Sequence, residues 1–190
     1  MDNHLKETQI DSALAYDGHF LKIQRDAVCL PDGKPALREF IKHPGAVVIL
    51  PLFDDGSVLL ERQFRYPLNQ VFIEFPAGKI DPDEDPLLCA QRELKEETGY
   101  TATDWQFVCT IHNAIAYSDE HLDIYLARGL VEGMRSLDDG EFLDVYRTPL
   151  SVLFDGIRAG TVTDVKTVIG AFWLEKIIAG EWTLATDLPS

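Results

Sequence analysis

The chain has 190 residues, 46% hydrophobic and 26% charged, enough to bury a core without staples and too apolar to be disordered. A formal net charge of −15 at pH 7 repels polyanions, so no nucleic-acid partner is expected. The longest apolar run, Ala46 to Phe53, is too short to span a bilayer, and the polar start MDNHLKETQI has no apolar signal core, so a cytoplasmic protein without a membrane partner is expected.

The first dozen residues are expected to fray. Phe20 to Val28 alternates as a strand, Pro31-Asp32-Gly33-Lys34 makes a turn, and the chain returns through Leu37 to Ile41 as a hairpin. Gly45 to Phe53 is a β-branched apolar run, the pattern of a central strand buried on both faces. After Asp54-Asp55-Gly56, Val58 to Phe64 and Val71 to Phe75 are expected as further strands of that sheet.

Pro86 to Thr98 reads as a helix, with Asp85 as cap, Pro86 in the first turn and Gly99 just past the end. Leu87, Ala90 and Leu94 form its apolar stripe. Strands follow at Trp105 to Ile111, Leu122 to Ala127 and Phe142 to Tyr146, then helices near 150–158 and 165–179, stopped by Gly160 and Gly180. Interleaved strands and helices imply an α/β sandwich with a mixed sheet. Cys29, Cys89 and Cys109 are odd in number and widely spaced, which fits small apolar residues rather than disulfides or a thiolate metal site.

Glu93, Glu96 and Glu97 fall at spacings of three and four residues, so on a regular α-helix they share one face with Cβ atoms about 5–6 Å apart. Such carboxylates repel one another and suit a hard divalent ion such as Mg²⁺ or Mn²⁺. Taken alone, E-x-x-E-E is more often a solvated face, here eased by Arg92 and Lys95. The surrounding residues favour the ion: Gly78 allows close backbone approach, and Arg92, four residues before Glu96, is placed to orient that carboxylate.

The segment Gly78 to Tyr100 resembles the Nudix box, G-x5-E-x7-R-E-U-x-E-E-x-G-U with U bulky and apolar, and Gly78, Glu84, Arg92, Glu93, Leu94, Glu96, Glu97, Gly99 and Tyr100 fill every fixed position. The resemblance implies a Nudix-type α/β/α sandwich with an N-terminal β extension, and hydrolysis of a nucleoside diphosphate with Mg²⁺, or Mn²⁺ in its place. It implies Glu93, Glu96, Glu97 and the Ala77 carbonyl as metal ligands, Arg92 as their holder, and Glu84 as support for the loop.

LPDGKPALREFIKHPGAVVILPL, LLERQFRYPL, VFIEFPAGKID and DVKTVIGAFW are similar to ADP-ribose pyrophosphatases, a likeness covering about residues 16–180. It implies a homodimer with residues 1–43 as the dimerising extension and 44–190 as the hydrolase domain. Arg38 and Arg65 become candidates for the diphosphate or terminal ribose, with surface salt bridging as the other reading. Phe20 and Tyr16 are candidates for stacking on the purine, or for packing.

Glu74 either helps the metal site or ends a strand. The loop SLDDGEFLDVYR offers Glu141 as base or further metal ligand and Asp139 as second choice, against a plain solvated turn at Asp138-Asp139-Gly140. Where many relatives carry proline after the box, this chain has Ala114 and Ile115 in AIAYSDE, and Glu120 is a candidate for a ribose hydroxyl. His112 and His121 make no zinc motif. The expected activity is conversion of ADP-ribose to AMP and ribose 5-phosphate, with hydrolysis of GDP-mannose or another nucleotide sugar, or a noncatalytic ADP-ribose sensor, as alternatives.

Overall fold

The computed structural model describes residues 2–137 and 139–184 and divides into two compact units. One unit comprises the chain up to Pro44 together with His112–His121; the other comprises Gly45–Ile111 and the chain from Leu122 onward.

The first unit is an antiparallel sheet of β1 (Thr8–Asp17), β2 (Lys22–Cys29) and β3 (Pro35–Lys42) in that order. The expected hairpin is β2–β3, with Gly33 at φ 85° in its turn. The expected fraying of the first dozen residues is overturned from Thr8 onward: Thr8–Asp17 pairs with β2 along nearly its whole length, because ladder hydrogen bonds hold a segment whose side chains are all exposed. Phe20 precedes β2 and is exposed. Ile41 donates its amide to the Tyr117 carbonyl and Asp119 returns one to the Ile41 carbonyl, which fixes 112–121 beside β3.

In the second unit, β4 (Ala46–Pro51) lies between β7 (Ala77–Lys79) and β9 (Leu122–Glu132), and β8 (Tyr100–Ile111) closes the sheet. Only β4–β9 is parallel, so the sheet is mixed, as expected. Period-two alternation sends Val47 and Ile49 to one face, where they pack with Cys89, Ala90 and Leu94 of the box helix. Val48 and Leu50 face the other way, onto Leu174 and Ala171 of α3 (Val165–Ile178) and Leu153 of α2 (Leu150–Ala159). Each such buried aliphatic side chain contributes about 1.5–3 kcal/mol. Gly170 lets α3 come close, since a Cβ there would strike Leu50 and Phe75.

The strands β5 (Ser57–Arg65) and β6 (Gln70–Glu74) do not extend this sheet. They join β10 (Leu143–Pro149) in a separate antiparallel sheet of order β10-β5-β6. Phe142 lies just outside β10 and is exposed. Asp54–Gly56 was expected to turn the chain into a further strand of the central sheet, yet Leu52 and Val58 share a single bridge and β5 takes its ladder hydrogen bonds from β10 and β6. Cys89 is buried while Cys29 and Cys109 are half-buried, and all three are free thiols.

Candidate active site

Asp85 starts the box helix α1 (Pro86–Glu93) by accepting the Leu87 and Leu88 amides at 2.9 and 3.2 Å, a cap that contributes about 1 kcal/mol. Cys89, Ala90 and Leu94 are fully buried and fix its roll against the sheet; Leu87, expected in that stripe, is only half-buried. From Leu94 to Thr98 the helix widens into a π turn, where regular α-helical spacing was expected. The Thr98 hydroxyl caps the Leu94 carbonyl at 2.5 Å, and Gly99 takes the left-handed conformation with φ 80°.

Arg92 binds more than the one carboxylate its spacing suggests. It donates to both oxygens of Glu84 at 2.9 Å, to Glu93 at 2.8 Å and to Glu96 at 3.0 Å. Glu84 also accepts the Asp81 amide at 3.1 Å, and the Arg92 bond holds its carboxyl down at about 2. The same bond pushes the Arg92 guanidinium further above its ordinary value. A Cβ at Gly78 would occupy the place the Glu93 carboxylate now takes. A cavity of about 400 Å³ is lined by Arg92, Lys95, Glu96 and Ser136.

Glu97 turns inward and is 3% exposed. Its Oε2 accepts the Ala77 amide at 3.2 Å, so Ala77 meets the box through its N–H. Burial, then the charges of Glu61, Glu93 and Glu141, push its carboxyl well up. Burial likewise raises Glu93, against the pull of Arg92.

Glu61, on β5, was not singled out from the sequence. It is 0% exposed, and neither carboxylate oxygen has a hydrogen-bond partner among the described residues. Burial, followed by the neighbouring Glu74 charge, raises its carboxyl. In register it lies opposite Glu74 on one side and Val145 on the other.

Glu74 is saturated by comparison. Arg65 donates to its two oxygens at 2.7 Å each, and Lys166 adds an ion pair. Burial works to raise the Glu74 carboxyl, but these two cations outweigh it and the carboxyl falls below its usual range. Lys166 also pairs with Asp164 at 3.0 Å. Asp164 caps α3 through the Thr167 amide at 3.0 Å, and the Thr167 hydroxyl oxygen accepts the Phe75 amide at 2.9 Å. A charged residue directly after Val58-Leu59-Leu60, within the expected strand, was the available signal for Glu61; Lys166, in the first turn of a helix, gave none.

Glu141 is half-buried, and its charge raises Glu61, Glu93 and Glu97 alike. Asp139 is exposed in the turn that Gly140 completes at φ 89°; Asp138, named in that turn, lies outside the described residues. In the other unit, Arg38 makes a two-pronged pair with Glu7 at 2.9 and 2.5 Å. Glu120 there accepts from Asn113 at 3.0 Å and lies 3.6 Å from His43. Tyr16 and Phe20 are exposed.

Among the described residues no three His, Cys, Asp or Glu side chains are gathered tightly enough to hold an ion. The donors nonetheless fit a divalent, oxygen-liganded cation: Glu61 has two unsatisfied buried oxygens, and Glu93 and Glu97 are crowded against β7.

Residues 42–162 match the NUDIX domain model. The chain is 33% identical over 177 residues to the methanol dehydrogenase activator of Bacillus methanolicus, spanning 92% of this chain and 96% of that protein. It is 35% identical over 173 residues to the ADP-ribose pyrophosphatase of Bacillus subtilis (strain 168), spanning 90% and 94%. The crystal structure of an ADP compounds hydrolase aligns with TM-score 0.82 at 24% identity over 93% of this chain and 96% of its own, a likeness of fold.

Proposed function

The chain belongs to the NUDIX domain family, and on that footing we propose that it hydrolyses the pyrophosphate bond of ADP-ribose to give AMP and ribose 5-phosphate. The relative from Bacillus subtilis, aligned over most of both chains, supports that substrate over GDP-mannose or another nucleotide sugar. The observation that carries the chemistry is the crowding of the Glu93 and Glu97 carboxylates against Gly78 and the Ala77 amide, with burial and then acidic neighbours raising both. Retention of every box acid speaks against a noncatalytic sensor.

Nudix hydrolases work with a divalent metal, and Mg²⁺, with Mn²⁺ able to replace it, is the ion proposed here. Glu93, Glu96, Glu97 and the Ala77 carbonyl would hold it. When bound, such an ion neutralises pyrophosphate oxygens and makes a coordinated water nucleophilic at neutral pH. Arg92 keeps Glu93 and Glu96 pointed at the site, and Gly78 leaves the space that Glu93 occupies. Glu141, with Asp139 in second place, is the proposed base that takes the proton of the attacking water.

Arg38, Arg65, Glu120 and Phe20 are the proposed substrate contacts, with Tyr16 a further stacking candidate. For the two arginines this means sharing or exchanging the Glu7 and Glu74 partners they now hold. The proposal includes a cytoplasmic homodimer in which residues 1–43 dimerise. Exposed Ile10, Leu14 and Leu37 on β1 and β3 support that role.

The test offers purified protein with Mg²⁺ a panel of ADP-ribose, GDP-mannose, dinucleoside polyphosphates and NADH, reading phosphate after a coupled phosphatase. ADP-ribose is expected to turn over fastest, and only with metal; absence of metal-dependent turnover on the whole panel overturns the reading. Glu97→Gln is expected to lower kcat by about 10²–10³-fold, the scale of removing one transition-state electrostatic group, with the melting transition retained.

A further inference from the structure

The helix acids are not the only carboxylates without enough positive charge. We propose that Glu61 is a metal ligand supplied by β5, which pairs with Glu97 to hold a divalent cation at a position the helix acids alone do not provide. The inference rests on the reading of this region as a metal centre, and it adds a residue outside the box.

Glu61 is wholly buried with two orphaned oxygens, and in either protonation state at least one of them lacks a partner. Desolvating such a group is costly unless something binds it. The charged groups that bear on it are Glu74 on β6, Lys166 on α3, Arg65 on its own strand and Glu141 before β10, and Glu61 in turn raises Glu97. Both cations in that set are committed to Glu74, and Lys166 also to Asp164. What remains around Glu61 is negative.

The backbone supplies the link to Glu97. Glu61 pairs in register with Glu74, and three residues beyond Glu74 the Ala77 amide holds Glu97 Oε2. An all-oxygen setting of this kind suits Mg²⁺ or Mn²⁺ rather than a soft metal.

The test titrates the full chain with Mn²⁺ chloride in the absence of substrate and reads free Mn²⁺ by electron paramagnetic resonance, comparing wild type with Glu61→Gln and Glu61→Leu. Loss of one bound ion, or at least a tenfold weaker affinity, is expected in both variants. Without metal both should melt at or above the wild-type temperature, since an unpaired buried acid is gone.

Unchanged Mn²⁺ stoichiometry and affinity in the variants overturns the proposal, as does a wild type that binds no Mn²⁺. If neither variant folds, anomalous scattering from Mn²⁺-soaked wild-type crystals decides: a peak within coordination distance, about 2.1 Å, of Glu61 is expected, and a peak on the helix acids alone overturns it. None of these readouts needs turnover, so a protein that fails on ADP-ribose but loses Mn²⁺ with Glu61 breaks the functional reading and leaves this one standing.

Discussion

Two acidic clusters of this protein solve opposite problems. On the box surface, Glu84, Glu93 and Glu96 converge on the single guanidinium of Arg92, three carboxylates to one cation, with the Glu84 and Glu96 side chains partly open to water. On β5 and β6, Arg65 and Lys166 both serve Glu74, and Glu61 opposite it has neither. Water screens the unbalanced charge of the first cluster, whereas in the second it must be met by a proton or an ion. A charge imbalance of similar sign is thus tolerable at the surface and chemically demanding inside.

Breaking the buried side should have the largest effect. Lys166→Met removes one of two cations from a carboxylate that is 2% exposed, and about 3 kcal/mol of stability should be lost in urea unfolding, with Arg65 preventing a larger loss. A change within about 0.5 kcal/mol would mean that Arg65 alone satisfies Glu74, and the contrast with Glu61 would narrow.

Arg92→Lys tests the surface cluster. A single ammonium cannot reproduce the fork that holds three acids, so kcat should fall about 10–100-fold, with far less effect on the melting temperature. Activity at the wild-type level would show that the box acids position themselves.

The smallest expected effect concerns acid. The folded carboxyl of Glu84 sits at about 2, below the unfolded value of about 4.3, so its contribution is present above that unfolded value and is lost as pH falls toward the folded one. Glu84→Gln should flatten this acid limb by under about 1 kcal/mol, because solvent screens the pair. An unaltered limb between pH 4.5 and 2 would assign acid sensitivity to Glu74 instead, the buried acid whose carboxyl its cations also hold down.

The box was legible because its chemistry is local. Asp85, Pro86 and Gly99 act on their own turn, and the Arg92–Glu96 contact spans four residues, so spacing alone placed them. The widening at Leu94–Thr98 was not legible, since a π turn has no distinct residue pattern. Thr8–Asp17 was missed because exposed side chains give no burial pattern, and its order comes from the ladder with β2. The assignment of β5 and β6 to the central sheet failed because alternation reports which face is buried and not which neighbour accepts the hydrogen bonds.

The sequence by itself determined the family, the α/β class, the helix boundaries and the set of acids on the box, all of which depend on short-range geometry and side-chain type. Tertiary structure alone decided which acids are satisfied. Glu61 and Glu74 look alike as residues, and their difference comes from Lys166, 92 residues beyond Glu74, arriving on α3 to pair with one of them. Pairing inside a protein depends on which distant cation the fold delivers, and that information is absent from local spacing.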